Sequence, residues 1–474
     1  MSNTNNIANG ENNTIDYSKY DLLPDGKCWK VFSAFDGYGG ITMCHKRMQE
    51  ALPFELDNVG ISEINKMAIK VNQILNGPSK NYGDITKINF KKLPMFHVYY
   101  SSSPCTDVSP AGKGAGFAEG SGTASALIWE DIRMLDEVDR KPFLIIKENS
   151  KGITFKKYRE SLTEFVKVLE DRGYTVKWKV LNANDFGSPE HRERFYLVAT
   201  LCDIGFEFPE PIEEKVYLKD YLEQNSGEEY LISFKSKRTF ISRSLHVRNA
   251  DTVKIHNPSF CEVAQTITTK SGYRPADNFV FLNDMGKQPT IRVTNKYMME
   301  HNITEDQLLN CPIRRLTKHE VEKIMGFRED EIALLDKAKI SRTAISELLG
   351  NGYSLQVVTQ LLIAVFSAIE EAQKKKQQVK KSLYAKMNEI LALHNKMKAA
   401  YFFQSPRLAA DRRRYEERNS LETSFTYKGH IYKVSQITSC SCSNVYYQMS
   451  IYIDGIGPQK DIRLIKGIIR ELSK

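Results

Sequence analysis

Cys105 is the residue whose position most suggests chemistry. It directly follows Pro104 in the stretch "SSSPCTDVSP", and the short apolar run "FHVYY" comes just before that stretch. The apolar run predicts a buried strand, so the thiol would lie at the carboxyl end of a strand. Two interpretations are open at this point: a small core residue beside a turn, or a nucleophile held at the edge of a sheet.

A glycine-rich loop and two acidic residues precede this cysteine. In the loop "FDGYGG" (Phe35–Gly40), glycines would let the backbone approach a cofactor closely. The loop does not match the dinucleotide fingerprint GxGxxG, because its spacing is G-x-G-G and Thr42 stands at the sixth position. Glu63 could accept both hydroxyls of a ribose, and Asp84 could accept from an adenine amino group. For either acid alone, a surface carboxylate is the better prediction.

Predicted strands and helices alternate around these residues. "CWKVFSAF", "NVGISEI", the run before Cys105, "PFLIIKENS", "YTVKWKVLNA" and "RFYLVATL" predict strands, and "GGITMCHKRMQEAL", "NKMAIKVNQIL", "ASALIWEDIRMLDEV" and "RESLTEFVKVLEDRG" predict helices. This alternation is typical of an α/β protein with a mostly parallel sheet and helices on both faces. Such sheets bind ligands outside the carboxyl ends of their strands. The loop, Glu63, Asp84, Cys105 and Glu148 would therefore meet at one edge.

Length and composition restrict the class of protein. A chain of 474 residues predicts two or three domains. It contains no run of eighteen apolar residues, so no membrane-spanning helix is expected, and its polar N-terminus lacks the apolar core of a secretory signal. Eight cysteines without a CxxC pair predict neither a disulfide scaffold nor a zinc site. We expect a cytosolic, reduced protein that binds no metal.

The net charge of +9 is concentrated near the C-terminus. Residues 370–474 contain 20 Lys and Arg against 10 Asp and Glu, whereas residues 1–369 have a net charge of −1. A polyanion would be attracted first to the C-terminal part. Charge alone nevertheless favours a solvated, Lys-rich helix there.

Six motifs in a fixed order carry a resemblance to a known family. They are "FDGYGG", "PC" at Pro104–Cys105, "ENS" at Glu148–Ser150, "SPEHRERFYLV" at Ser188–Val198, "RRLTKHEVEKIMGF" at Arg314–Phe327 and "GNGY" at Gly350–Tyr353. In this order the chain resembles the DNA cytosine-5 methyltransferases between Lys30 and Ala368. The resemblance implies a Rossmann-like, S-adenosylmethionine-dependent methyltransferase domain with a smaller, irregular target-recognition domain, followed here by a basic α+β C-terminal extension.

The resemblance and the sequence pattern together predict five segments. They are a disordered leader (1–27), the first part of the catalytic domain (28–201), a target-recognition domain (202–311), the closing part of the catalytic domain (312–369), and a basic helical arm with a small α+β extension (370–474).

The resemblance also implies covalent catalysis on cytosine. Cys105 would add as a thiolate to C6 of the base, which makes C5 nucleophilic enough to accept a methyl group. Its thiol needs a lowered pKa, for which nearby arginines or a helix N-terminus could serve. Glu148 would hold a proton at N3, Arg194 would contact the base carbonyl and steady the thiolate, and Arg192 would organise the site from behind. The base would first be flipped out of a duplex.

S-adenosylmethionine is the implied cofactor. Phe35 would pack against it, Gly37 and Gly39 would admit its methionine part, and Glu63 would bind its ribose. Asp84 and Ile85 would bind the adenine, and Asn351 would complete the pocket. The full predicted cofactor set is Phe35, Asp36, Gly37, Gly39, Gly40, Glu63, Ile64, Asp84, Ile85, Pro104 and Asn351.

Double-stranded DNA is the implied partner. The glycine-rich run "TDVSPAGKGAGFAEGSG" after Cys105 is interpreted as a loop that closes over the flipped base, with a plain surface loop as the alternative. The predicted DNA-binding residues are Ser109, Lys113, Arg243, Arg248, Thr268, Thr269, Lys270 and Arg274. The chain departs from the commoner residues of the family at Asp36, Thr106, Ser150 and Glu190, none of which has a covalent or proton-handling role.

Two alternative functions stay open. The first is an RNA cytosine-5 methyltransferase of the same fold, which is disfavoured because the Cys-Phe-Thr sequence typical of tRNA-modifying relatives is missing. The second is a non-catalytic DNA-binding relative, which is disfavoured because Cys105, Glu148 and Arg194 are all present.

The segment from residue 370 onward lies outside the resemblance. It could be an extra DNA-binding unit with exposed Tyr427, Tyr432 and Arg463, or a dimerisation arm with a small capping domain. Self-association would use the C-terminal helix, whose predicted apolar face is Leu383, Met387, Ile390, Leu391, His394 and Met397. Other expectations are a cognate restriction endonuclease that is not physically bound, no membrane, and a cytoplasmic, nucleoid-associated location in a bacterium or phage-infected cell.

Overall fold

The chain divides into two compact units. The larger consists of Gly26–Leu201 and Phe206–Ala368, and the smaller of Met1–Asp25, Cys202–Gly205 and Ile369–Lys474. The structure, a computed structural model, describes residues 15–109, 114–224, 226–247, 250–270, 274, 277–402, 420–428, 430–440, 445–459 and 462–472.

Strands and helices are numbered along the chain. The strands are β1 (Ile15–Asp16), β2 (Cys28–Ala34), β3 (Glu55–Ser62), β4 (Val98–Ser101), β5 (Leu144–Ser150), β6 (Thr175–Asn182), β7 (Glu190–His191), β8 (Glu193–Thr200), β9 (Lys254–His256), β10 (Ala264–Gln265), β11 (Asn278–Phe281), β12 (Thr290–Arg292), β13 (Ile313–Arg315), β14 (Ser420–Tyr427), β15 (His430–Cys440), β16 (Val445–Ile453) and β17 (Ile456–Gln459). The helices are α1 (Gly40–Gln49), α2 (Lys66–Asn76), α3 (Glu130–Glu137), α4 (Arg159–Glu170), α5 (Phe234–His246), α6 (Asn295–Glu300), α7 (Glu305–Asn310), α8 (Lys318–Ile324), α9 (Glu329–Lys337), α10 (Arg342–Asn351), α11 (Leu355–Phe402) and α12 (Arg463–Leu472).

The larger unit is built on a six-stranded sheet in the order β3-β2-β4-β5-β8-β6. Strands β3, β2, β4 and β5 pair in parallel, whereas β8 is antiparallel to both β5 and β6. Because α1 to α4 connect successive strands, the chain returns to the same edge of the sheet before each new strand. The predicted α/β class with a mostly parallel sheet is confirmed.

The first part of α11 belongs to the core of the larger unit. Its Phe366 ring lies 5.6 Å from the Trp29 ring and 5.0 Å from the Phe54 ring, measured between centroids. The helical stretch 342–395 contains an 18-residue window apolar enough to cross a membrane, and 56% of that window is buried inside the protein. A core helix has the same composition, and the burial of Phe366 explains the apolar residues here.

A second sheet, β12-β9-β11-β13, lies within the segment predicted for target recognition and its C-terminal flank. Its own core includes Ile241 of α5, Ile255 of β9 and Phe279 of β11. The boundaries of a target-recognition domain stay a prediction.

The smaller unit contains the sheet β1-β14-β15-β16-β17 and α12. Leu383, Met387 and Ile390 of α11 are buried in the core of this unit, as the predicted apolar face of that helix requires. Leu391 and His394 are partly exposed, and the side chain of Met397 lies outside the described residues.

Two expectations about the smaller unit are corrected. Residues 15–27, predicted as part of a disordered leader, contain β1, which pairs in parallel with β14, and the buried side chains of Tyr20 and Leu23. Tyr427 and Tyr432, predicted to be exposed for DNA stacking, are 5% and 7% exposed. The ring of Tyr432 stacks on Phe425 with centroids 4.9 Å apart, so these tyrosines form the core of the unit. Arg463 is exposed.

Candidate active site

The thiol, carboxyl and guanidinium predicted to act on the base lie at one edge of the six-stranded sheet. Cys105 follows the end of β4, Glu148 lies in β5 and Arg194 in β8. β5 and β8 are antiparallel with Ser150 opposite Arg194. This register brings Arg194 Nε to 3.4 Å from Glu148 Oε1.

Glu148 is buried and held through both carboxyl oxygens. The Ser102 hydroxyl donates a hydrogen bond to Oε2 at 2.5 Å, while Arg194 faces Oε1. Burial raises the pKa of Glu148, and the charges of Arg194 and Arg192 and the Ser102 hydrogen bond act in the opposite direction. The carboxyl group therefore keeps its proton to a higher pH than an exposed glutamate does.

Cys105 is partly buried at the start of a tight turn. Its carbonyl accepts hydrogen bonds from Val108 N at 3.1 Å and Ser109 N at 2.9 Å. Burial raises the pKa of the Cys105 thiol, the Glu148 charge raises it further, and Arg194 and Arg192 lower it. The net effect is a raised pKa, because desolvation of the thiolate outweighs the two arginines that were expected to lower it. When Glu148 is protonated, its charge no longer raises the pKa of the Cys105 thiol.

Arg192 joins three segments of the chain and is completely buried. Its guanidinium donates to the carbonyl oxygens of Ile267 at 2.9 Å and Gly350 at 3.0 Å, and also to that of Gly352. These contacts are with backbone oxygens, and Arg192 Nη1 also lies 3.2 Å from Glu190 Oε1. The role of Arg192 behind the site stays a prediction.

Glu190 is one of the departures from the commoner residues of the family, and its contacts explain the carboxylate at this position. Its Oε1 accepts from Ile267 N at 2.5 Å and from Arg192 Nη1 at 3.2 Å. β7 and β10 pair in parallel, with Ala264 opposite Glu190. A carboxylate at this position therefore pairs with the arginine and fixes the segment after β10.

A buried ion pair supports the same edge and was not found from the sequence. Lys147 Nζ lies 2.7 Å from Asp131 Oδ2 and donates to Ser101 Oγ at 3.0 Å. The Tyr99 hydroxyl donates to Asp131 Oδ1 at 2.9 Å. Because these groups satisfy one another, β4 and β5 are fixed relative to α3 just before Cys105 and Glu148. A lysine and an aspartate carry no sequence signal that they will pair across the fold.

The described ends of the loop after Cys105 are anchored. Asp107 N donates to Ser125 Oγ and Ser125 N donates to Asp107 Oδ2, each at 3.0 Å. The Tyr158 hydroxyl donates to Asp107 O at 3.0 Å. A Cβ added to Gly152 would lie 1.9 Å from Val108 O, so a glycine is required beneath this turn. Ser109 is described, whereas Lys113 lies outside the described residues.

The loop "FDGYGG" has the backbone conformation that its glycines predict. Gly37 and Gly39 have φ angles of 59° and 77°, and Phe35, without a glycine's freedom, has a φ of 54°. Gly39 caps α1, and a Cβ there would lie 2.1 Å from Asn72 Oδ1. Asn72 also donates to Asp36 Oδ2 at 2.6 Å. The loop is therefore packed closely onto α2.

Glu63 is bound to the glycine-rich loop by backbone hydrogen bonds. It accepts from Gly37 N at 2.7 Å, Ile64 N at 2.8 Å and Asn65 N at 2.7 Å. Asn81 holds the same turn, because its side chain bonds both Glu63 N and Glu63 O. Asn81 was missed by the sequence analysis, since a single asparagine before "YGD" is no more than a turn signal.

The other predicted cofactor residues lie in different surroundings. Asp84 caps a short 3-10 turn and accepts from Thr86 N and Oγ1, which lowers the pKa of its carboxyl group. Ile85 is buried, Ile64 is 72% exposed, and Asn351 is exposed at the end of α10. Gly40 begins α1, and Pro104 is partly exposed beside Cys105.

The predicted DNA-reading residues separate into two groups. Thr268 and Thr269 lie against the "GNGY" segment, because a Cβ on Gly350 would be 2.1 Å from Thr269 N. Lys270, Arg274 and Arg243 are exposed. Arg248 lies outside the described residues.

The motif "RRLTKHE" has a structural explanation. Arg314 makes a two-pronged ion pair with Glu320, with both N–O distances 2.8 Å, and both side chains are buried. Thr317 and Glu320 form a capping box at the start of α8. Spacing of the type T-x-x-E predicts such a cap. Within the described residues, no three His, Cys, Asp or Glu side chains lie together in a way that could hold a metal ion.

Comparison with known proteins identifies the family. Residues 29–370 match the model of the C-5 cytosine-specific DNA methylase family. The Type II methyltransferase M2.ScrFI of Lactococcus lactis subsp. cremoris is 30% identical over 298 residues, covering 62% of this chain and 73% of that protein. The Type II methyltransferase M.NlaX of Neisseria lactamica is 31% identical over 262 residues, covering 55% of this chain and 81% of that protein.

Solved structures show the same fold. A methyltransferase of Entamoeba histolytica, EhMeth, superposes with a TM-score of 0.57 at 19% identity, covering 72% of this chain and 99% of that one. The S. pombe Dnmt2 methyltransferase superposes with a TM-score of 0.52 at 20% identity, covering 70% of this chain and 97% of that one. The chain therefore belongs to the C-5 cytosine-specific DNA methylase family and is a DNA cytosine-5-methyltransferase that uses S-adenosylmethionine as its methyl donor.

Proposed function

We propose that this methyltransferase modifies cytosine within a specific double-stranded DNA sequence, through a transient covalent bond between Cys105 and C6 of a flipped base. The observation that supports this most directly is the 3.4 Å approach of Arg194 to Glu148 beside the turn that begins at Cys105. A nucleophile, a proton-holding carboxyl and a fixed cation at one sheet edge are the groups that the reaction needs.

The proposed reaction consists of thiol addition, methyl transfer and elimination. The Cys105 thiol loses its proton, the S–C6 bond forms, and the electrons of the C5=C6 bond move to make C5 nucleophilic. Bound S-adenosylmethionine would supply an electrophilic methyl group: as the new bond to C5 forms, the bond from the methyl carbon to sulfur breaks, and S-adenosylhomocysteine is the leaving group. Loss of the C5 proton to a base and breakage of the S–C6 bond restore the C5=C6 bond and release the thiolate.

Glu148 would donate a hydrogen bond to N3 as negative charge develops on the ring. Its raised pKa supports this role, because burial favours the protonated carboxyl group, which can donate a hydrogen bond. A protonated Glu148 also carries no charge to oppose the Cys105 thiolate. Arg194 would then stabilise the thiolate and contact the base carbonyl.

The residues at the ends of β2 and β3 fit the cofactor. Glu63 presents a partly buried carboxylate beside the loop, and a Cβ on Gly37 would meet no atom within 4 Å, so there is open space above the loop. We expect Glu63 to bind the ribose hydroxyls and Asp84 with Ile85 to bind the adenine.

The DNA sequence would be read by exposed groups of the predicted target-recognition segment. Lys270, Arg274 and Arg243 are exposed, as phosphate or base contacts require. Thr268 and Thr269 lie against Gly350 and would link base recognition to the cofactor side of the site. The names of the relatives are those of Type II methyltransferases; a restriction endonuclease that cuts the same sequence, and a cytoplasmic location on the nucleoid, are part of the proposal.

Bisulfite sequencing of the genome tests this function. Cells expressing the wild-type chain should gain protection of cytosine in one sequence motif, and cells expressing Cys105→Ala should lack it. Cys28→Ser is the matched control, because Cys28 is an exposed cysteine away from the site. Absence of protection with the wild-type chain, while transcripts from the same cells gain 5-methylcytosine, would overturn the DNA substrate.

A further inference from the structure

The segment that follows β5 carries four positive charges and no negative one. Residues 151–159, "KGITFKKYR", contain Lys151, Lys156, Lys157 and Arg159. The first 369 residues of the chain have a net charge of −1, so this segment is a local excess of positive charge in a part of the chain that is otherwise balanced. Lys156, Lys157 and Arg159 are exposed, and none of the three belongs to the predicted DNA-binding residues.

The same segment is anchored to the loop that begins at Cys105. The Tyr158 hydroxyl donates a hydrogen bond to Asp107 O at 3.0 Å, near the start of the loop. Further along the loop, a Cβ on Gly114 would lie 3.3 Å from Lys157 Nζ. The segment therefore contacts the loop on both of its described sides, and the Lys157 ammonium group lies directly beside it.

Lys151 connects the segment to the strand that carries Arg194. Its Nζ lies 2.8 Å from both Glu193 Oε1 and Glu193 Oε2, and Glu193 directly precedes Arg194 in β8. The segment thus borders the proposed active site from the cysteine loop to the arginine strand. Because Lys151 is paired with Glu193, its charge already has a structural partner.

Neither ion pairing nor helix stability explains the other three charges. Within the part of the chain that the structure describes, no acidic side chain pairs with Lys156, Lys157 or Arg159, and the Lys157 ammonium group lies 4.6 Å from the centre of the Tyr158 ring. Arg159 is the first residue of α4, where a positive side chain opposes the helix dipole. Three exposed charges of one sign at this place favour a negatively charged ligand.

A flipped cytosine brings such charges to the entrance of the site. The nucleotide stays joined to its strand when its base leaves the duplex, so the phosphates on either side of it must lie close to the point at which the base enters. Exposed lysine and arginine side chains are the groups that bind phosphates there. Since the loop that contacts Lys157 begins at Cys105, a base that reaches the thiol carries its phosphates past this segment.

We propose that Lys156, Lys157 and Arg159 form a phosphate-binding rim for the DNA strand that carries the target cytosine. The inference rests on the proposed DNA substrate and names the residues that hold its backbone. Phosphate contacts position a duplex without reading its sequence. The rim therefore adds affinity for every DNA sequence alike, whereas the predicted target-recognition segment selects one of them.

The salt dependence of DNA binding by the full chain tests this rim. The probe is a fluorescently labelled duplex of scrambled sequence, titrated by anisotropy between about 50 and 200 mM salt. For the triple variant Lys156→Gln, Lys157→Gln, Arg159→Gln, the slope of log K against log salt concentration should be shallower than in wild type by about 2 to 3, because each phosphate contact contributes about 0.9. Each single substitution should make it shallower by about 1.

The charge-matched control is the triple variant Lys91→Gln, Lys92→Gln, Arg140→Gln. These three residues are exposed and precede β4 or β5, so they lie at the amino edge of the sheet, away from Cys105. The control should keep the wild-type slope. Both triple variants should bind S-adenosylmethionine as the wild-type protein does, since neither changes a predicted cofactor residue, and this titration also shows that the variants are folded.

The outcomes separate the rim from the DNA substrate. A triple variant at residues 156, 157 and 159 that keeps the wild-type slope overturns the rim, and so does a control whose slope changes as much. If that triple variant does not fold, wild-type slopes in all three single variants overturn the rim. A wild-type protein that binds S-adenosylmethionine but no duplex at any salt concentration overturns the proposed DNA substrate itself.

Discussion

The Ser102 hydroxyl donates a hydrogen bond to Glu148 Oε2 at 2.5 Å from a position three residues before Cys105. Ser102 follows β4 and Glu148 lies in β5, so the bond connects the end of the strand that carries the proposed nucleophile to the proposed acid. Arg194 of β8 holds the other carboxyl oxygen. Three neighbouring strands thus fix one carboxyl group.

Ser102→Ala should lower kcat by roughly tenfold, because Glu148 loses the group that orients it. The Ser102 hydrogen bond lowers the pKa of Glu148, so removing it raises that pKa and should move the alkaline limb of the pH profile of kcat to higher pH. Ser102→Thr retains a hydroxyl and should recover most of the activity. An unchanged pH profile in the alanine variant would contradict the role given to this bond.

Arg192→Lys should destabilise the protein and raise the KM for S-adenosylmethionine. An ammonium group cannot reach the carbonyl oxygens of Ile267, Gly350 and Gly352 together, and each buried carbonyl left without a donor costs about 1–3 kcal/mol. Urea unfolding and steady-state kinetics measure the two effects. The control is Arg172→Lys, at a partly exposed ion pair with Asp136. Equal losses in the two variants would show that Arg192 has no special positioning role.

Gly350→Ala should raise the KM for DNA and destabilise the protein by about 1–3 kcal/mol. The added Cβ would lie 2.1 Å from Thr269 N, a backbone atom that cannot move without shifting the predicted recognition segment. Gly467→Ala is the matched control, because a Cβ there meets no atom within 4 Å in α12, and it should be neutral or stabilising by about 0.5–1 kcal/mol. Gel-shift titration and thermal unfolding check both. Normal DNA binding by Gly350→Ala would contradict the proposed contact.

The stability of the Glu322→Gln variant relative to the wild-type protein should increase as the pH rises. Burial raises the pKa of Glu322 from 4.5 to about 7, an effect that the charge of Lys318 opposes. The folded protein therefore binds this proton more tightly than the unfolded chain, and the stabilisation that the proton provides is lost as pH rises through about 7. The free energy of unfolding of the wild-type protein should fall by at most about 1.4 kcal/mol per pH unit through this titration.

Thermal unfolding at pH 5, 6 and 7.5 measures this effect. The melting temperature of Glu322→Gln, relative to that of the wild-type protein, should rise from pH 5 to pH 7.5. Glu329→Gln is the control and should show no such rise, because the Glu329 side chain is 79% exposed. A constant difference between Glu322→Gln and wild type would show that Glu322 does not titrate in this range.

The strands of the catalytic sheet could be predicted because each is an apolar run between helical patterns. β5, "LIIKENS", is buried at every residue, and its last residues include the proposed acid. Sequence order also placed Cys105 and Glu148 at one edge, since parallel strands end at the same side. The pairing of Lys147 with Asp131, and of Arg192 with distant carbonyl oxygens, depends on tertiary packing that no local pattern encodes.

The environment of a titratable group was harder to predict than its position. Nearby arginines suggested a lowered pKa for Cys105, whereas burial and Glu148 raise it. Tyr427 and Tyr432 looked suited to stacking on bases, yet alternation along β14 and β15 directs them into the core of the smaller unit. In both cases the sequence identifies the residue, and the packing around it determines its chemistry.

Covalent trapping tests the central claim most directly. The protein, a DNA duplex containing 5-fluorocytosine in its recognition sequence and S-adenosylmethionine should give a stable adduct, because fluorine blocks loss of the C5 substituent. Intact-mass measurement should find one modified oligonucleotide strand per chain, attached at Cys105, and none with Cys105→Ala. An adduct that persists in Cys105→Ala, or a wild-type protein that methylates DNA but forms no adduct, would contradict Cys105 as the nucleophile.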